Sequence, residues 1–154
     1  MNKDVNLMNK KEKALEVFSS NFNCSQAVFS PFAEEYGLDK EIYLKIATSF
    51  GGGMRKGEAC GAVTGALMGL GLNHGHYINE DLDSKNKSYA LTRQFVREFE
   101  EVNGSIVCKN LLGYDLSKEE ELKILKEKNI FKSVCPRCIE NAVEILERIL
   151  VENR

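Results

Sequence analysis

The stretch ACGAVTGALMGLGL, Ala59 to Leu72, decides the reading of the fold. Within it Gly61, Gly65 and Gly69 recur at four-residue spacing, and no two-residue alternation appears. On a helix that spacing places the three glycines on one face. Each glycine costs about 1 kcal/mol relative to alanine in a helix interior. Close approach of a second helix must therefore offset them. The stretch is the longest apolar one in the chain, yet it falls short of the roughly 20 residues needed to span a bilayer. It is read as a buried helix in a helix-on-helix protein with no membrane span.

The flanking sequence carries the same period. Residues 8–20 form an expected first helix, with Ala14, Leu15, Val17 and Phe18 as its apolar side. Asn23 is placed to cap a second, CSQAVFSPFAEEYG, which stops at Gly37 and is expected to kink or divide at Pro31. Asp39 is placed to cap a third, and Gly51-Gly52-Gly53 breaks the chain. Downstream, 73–82 reads as a polar loop. A long helix then opens at Asp83 or Ser84 and ends at Asn103-Gly104. Ser105 is expected to cap a short helix ending at Gly113. Ser117 with Glu120 matches a capping box for a charged helix to Lys128. Pro136 suits the first turn of a last helix to about Glu152. The outcome is an all-α single-domain helical bundle of about seven helices over 10–154, with residues 1–9 expected to be disordered.

Composition narrows the function. The 154 residues carry 21 Lys plus Arg and 23 Asp plus Glu, a net charge of −2 that gives no reason to expect nucleic acid as a partner. Two histidines exclude a His-rich metal site, and His74 with His76 in a loop reads as solvated. Gly51–Gly53 lacks the Lys-Ser/Thr of a phosphate loop. No signal-peptide core follows the N-terminal lysines, so the protein is expected to be cytoplasmic, where ordinary thiols stay reduced. The apolar helices would also suit a homodimer.

Five cysteines are the unusual feature: Cys24, Cys60, Cys108, Cys135 and Cys138. The first four fall at or near expected helix N-termini, where free N–H groups and the helix dipole stabilise a thiolate. Arg55 and Lys56 precede Cys60 and can help hold its charge. Cys135-Pro136-Arg137-Cys138 has a spacing used in disulfide exchange and in metal sites. With no second such pair, a zinc ribbon is not indicated. The odd count argues against a fully paired disulfide framework.

Cys60-Gly61-Ala62-Val63-Thr64-Gly65 resembles the central C-G-A-x-x-G element of a family of redox-active proteins named for its cysteine pattern, C_GCAxxG_C_C. Asn23-Cys24-Ser25-Gln26-Ala27 is similar to its first cysteine element, and Gly51-Gly52-Gly53-Met54 to its glycine turn. Cys108-Lys109-Asn110-Leu111-Leu112-Gly113 resembles the third cysteine element, and Cys135-Pro136 with the helix after it the fourth. The resemblance covers about residues 10–150. It implies an all-helical domain with four principal cysteines and a redox or iron–sulfur role. Cys138 is additional to that pattern, and either it or Cys135 could be the fourth functional thiol; Cys135 fits the spacing better.

Three functions follow as expectations. In the first, Cys24, Cys60, Cys108 and Cys135 hold an iron–sulfur cluster, or zinc as the alternative, and the small residues Gly61, Ala62 and Gly65 leave it room. The second is metal-free thiol–disulfide chemistry, with Cys138 available as a partner. In the third, a helical binding or scaffold domain, the cysteines only pack. The first two describe an electron carrier or redox sensor working with an unidentified redox partner protein.

Overall fold

The computed structural model describes residues 8–154. Among these there are eight α-helices and no strand: α1 (Lys10–Ser19), α2 (Cys24–Glu35), α3 (Lys40–Ala47), α4 (Gly61–His74), α5 (Leu82–Asn103), α6 (Cys108–Leu112), α7 (Glu119–Glu127) and α8 (Ile130–Glu152). The all-α expectation holds. Of the segment expected to be disordered, all but Met8 and Asn9 lies outside the described residues. Asn9 forms a reciprocal capping box with Glu12 at the start of α1.

The glycine face of α4 does what its spacing requires. A Cβ on Gly65 would stand 2.5 Å from the Ser25 carbonyl oxygen, so the backbones of α2 and α4 touch there. A Cβ on Gly61 would stand 2.5 Å from Cys24 Sγ, and one on Gly69 3.1 Å from Leu146 and Phe32. Around this seam Phe32, Leu70, Phe95, Phe99, Ile139, Leu146 and Ile149 are almost wholly buried. They form the main core, shared by α1, α2, α4, α5 and α8.

Asn23 caps α2 as expected. Its Oδ1 accepts from the Gln26 N–H at 3.0 Å, and Gln26 Oε1 accepts from the Asn23 N–H at 2.9 Å. The same side chains reach the end of α3: Asn23 Nδ2 donates to the Thr48 carbonyl at 2.8 Å and Gln26 Nε2 to the Leu44 carbonyl at 3.0 Å. Asp39 caps α3 through the Ile42 N–H at 3.3 Å. Pro31 lies inside α2, which stays one helix. Residues 24–33 are buried throughout, and packing on all sides outweighs the roughly 3 kcal/mol a helical proline costs.

The C-terminal half departs from expectation at three boundaries. Helix α8 starts at Ile130, two turns before Pro136, so Pro136 is interior. The ring removes a hydrogen bond to the Lys132 carbonyl, and Lys132 is exposed, where water can satisfy it. Ser105 does not cap α6. Its hydroxyl accepts from the Val107 N–H at 2.9 Å and the Asn110 side chain at 3.2 Å, and the helix begins later, at Cys108. The Ser117–Glu120 capping box is absent. Asp115 takes both the N–H and the hydroxyl of Ser117, at 2.9 and 2.6 Å. A second, smaller apolar cluster forms here from Cys108, Leu112, Leu116 and Leu125, with Leu122, Phe131 and Val134 against it.

Candidate functional site

All five cysteines line one cavity of about 180 Å³ at the seam between the two clusters. Cys24, Cys60 and Cys138 belong to the main core, while Cys108 and Cys135 face the smaller cluster. The other walls are apolar, from Phe18, Leu111, Leu122, Phe131 and Val134. Arg55 and Lys126 are the charged lining residues, and no carboxylate or imidazole lines the cavity among the described residues.

Local structure sets each thiol. Cys24 is the first residue of α2, immediately after the Asn23 cap. Cys60 is the N-cap of α4, and Cys108 is the first residue of α6. An antiparallel bridge pairs Ala59 with Val107. Through it the Cys60 N–H donates to the Ile106 carbonyl at 2.7 Å and the Cys108 N–H to the Glu58 carbonyl at 2.6 Å. These two bonds flank the bridge and tie the segment before Cys60 to the segment before Cys108. Cys135 and Cys138 are the sixth and ninth residues of α8, one turn apart. Cys135 therefore does not sit at a helix N-terminus as expected. Three of the five cysteines do.

The turn before Cys60 was legible in the sequence only as a glycine break. Its residues Gly52, Gly53, Met54 and Arg55 all have φ between 60° and 66°, a run of left-handed backbone. Left-handed conformation costs roughly 1–2 kcal/mol per non-glycine residue, and such strain persists where surrounding structure enforces it. Here the turn carries the Gly52 N–H to Cys24 Sγ and brings Arg55 to the cavity wall. A Cβ on Gly53 would stand 2.3 Å from the Glu58 nitrogen and 2.9 Å from Cys108 Cβ, so this position admits only glycine.

The neighbouring thiols Cys24, Cys60 and Cys138 shift one another's titration. Cys60, with burial, holds the Cys24 thiol well above the ordinary range. Cys60 is pushed up to about 12, chiefly by Cys138. Burial pushes Cys108 up to about 12, against the pull of Arg55, and raises Cys135 also. Cys138 moves the other way, lowered by Cys60. The backbone N–H groups of Gly52 and Ala62 pull Cys24 and Cys60, respectively, in the lowering direction.

Of the small residues expected around a cofactor, Gly61 lies against Cys24 Sγ, Ala62 gives its N–H to Cys60, and Gly65 packs on α2. His74 borders a separate hollow with Asn73, Asp83 and Lys87, away from the thiols. Among the described residues no three Cys, His, Asp or Glu side chains gather as one metal ion would need, and no helix is long and apolar enough to cross a membrane.

No curated protein and no solved structure matches the chain. One family model does, over residues 22–149, the span that contains all five cysteines. The chain therefore belongs to the family described as "Putative redox-active protein (C_GCAxxG_C_C)".

Proposed function

We propose that the cavity is a redox centre in which Cys24, Cys60, Cys108 and Cys135 hold an iron–sulfur cluster, and that the protein carries electrons or senses redox state. The observation that carries this reading is the convergence of sulfur alone, from four helices, on one apolar cavity. Soft thiolate donors without oxygen ligands suit iron–sulfur clusters, zinc or copper(I) and not hard cations. A single zinc ion binds sulfur at about 2.3 Å, which sets its tetrahedral donors about 3.8 Å apart. Among the described residues no three ligating side chains are gathered for one metal ion; a cluster divides its thiolates between two or more irons. Such a cluster supplies one-electron chemistry when bound. The chain's own groups then act on the sulfurs: the Gly52 and Ala62 N–H groups stabilise thiolate charge, and the apolar walls limit water. Cys138, in contact with Cys60, takes no ligand role in this assignment.

Disulfide exchange is the second reading, favoured by the neighbouring thiols of Cys24, Cys60 and Cys138 on one cavity. Anaerobic purification with iron and sulfide counted per chain separates the two. About two to four irons with matching sulfide, lost in Cys60→Ser, are expected. Metal-free, colourless protein whose thiols pair on oxidation would overturn the cluster in favour of the disulfide.

A further inference from the structure

The charged side chains lining the cavity, among the described residues, are both cations. Arg55 comes from the left-handed turn and Lys126 from α7. Both are exposed at their outer ends. Neither forms an ion pair among the described residues. The acids nearest the turn already have partners: Glu58 faces Lys109 at 3.8 Å, and Asp115 is held by Ser117. The thiols behind this entrance are recessed. Cys24, Cys60, Cys108 and Cys138 are 9, 7, 7 and 2% exposed, and Cys135 is partly exposed. A small molecule reaches sulfurs so placed more readily than a cysteine on another folded protein, through a cavity of about 180 Å³.

We propose that Arg55 and Lys126 form an anion-recognising entrance, which selects small carboxylate-bearing disulfides as reactants for the cavity thiols. The step balances without metal. A protein thiolate attacks one sulfur of the incoming disulfide, forms a mixed disulfide and releases the first small thiolate. A second cavity thiol, losing its proton, displaces the other. Two protein thiols are oxidised to one disulfide while the small disulfide is reduced to two thiols. The proposal rests on the disulfide reading above, in which the cavity thiols are free of metal, and its charge test is read separately from the iron count.

The test uses the full chain, reduced, stripped of metal by a chelator, with helicity checked by circular dichroism. The probes are a dianionic disulfide, bis(carboxy-nitrophenyl) disulfide, and a neutral one, dipyridyl disulfide. In Arg55→Gln and in Lys126→Gln, the ratio of the dianionic to the neutral rate is expected to fall several-fold, reaching about tenfold in the double variant, as charge-steered encounters do. In Lys126→Gln the neutral rate should stay within about twofold of wild type. Added salt should remove the wild-type preference for the anion and leave the double variant unchanged. Lys126→Gln on exposed α7 leaves the strained turn intact and guards against a folding artefact. Equal loss with both probes, or no loss with the dianion, would overturn the proposal.

Discussion

The two sides of the cysteine cavity are built differently. The wall from α2 and α4 is backbone against backbone, with Gly65 admitting no side chain beside Ser25. The opposite wall, from α6, α7 and the first turns of α8, is a small cluster of leucines around Cys108. Its glycine Gly113 closes α6 at φ 81° with open space where a Cβ would stand. One wall is fixed by shape, the other by a few apolar side chains. A site assembled this way has a half in which close backbone contacts set Cys24, Cys60 and Cys108, and a half in which Cys135 rests against apolar side chains.

Substitutions that spare one wall test that contrast. Gly65→Ala should be the most damaging, at about 3–5 kcal/mol, because the new methyl meets backbone and not a movable side chain; a melting temperature within a few degrees of wild type would refute the rigid wall. Leu125→Ala in the small cluster should cost about 2–3 kcal/mol, the lower part of the range for buried leucines. Hydrogen exchange should place that loss in α6, α7 and the start of α8, with α2 and α4 still protected. Uniform loss of protection would make the two walls one cooperative unit.

Removing the Asn23 cap with Asn23→Ala should cost about 1–2 kcal/mol, more than an exposed cap because its amide also holds the end of α3. For pH, the folded thiols of Cys60 and Cys108 titrate near 12, above the ordinary value of 9.0. Their contribution to stability is full below about pH 9 and is lost as pH rises towards 12. Cys138, lowered, acts in the opposite sense. The melting temperature of metal-free protein should therefore fall above pH 9, less so in Cys60→Ala with Cys108→Ala. The smallest effect expected is a gain: Met54→Gly should relieve a left-handed residue and stabilise by up to about 1 kcal/mol, read as a rise in melting temperature.

The same division marks what the sequence made legible. On the rigid side, Asn23 with Gln26, Asp39 and the Gly61–Gly65–Gly69 repeat each announce a local geometry that packing then keeps. All five cysteines were legible as candidates, because unpaired thiols in number have few bland uses. On the other side local signals compete. Ser117 sits where a cap is expected, but Asp115, two residues earlier, satisfies it first. Pro136 reads as a helix start, yet α8 begins at Ile130, immediately after Asn129, whose left-handed conformation ends α7. The left-handed turn at 52–55 left only its glycines as a sign, since Met54 and Arg55 adopt that conformation against their own preference.

The length of α8 has a consequence for biosynthesis. Its first three turns supply Cys135 and Cys138 to the cavity, and its later ones supply Ile145, Leu146 and Ile149 to the main core. Among the described elements the helix is translated last. At about 5–20 residues per second, Cys24, Cys60 and Cys108 are all made before Cys135 and Cys138. Closure of the cavity waits on α8, which also completes the main core.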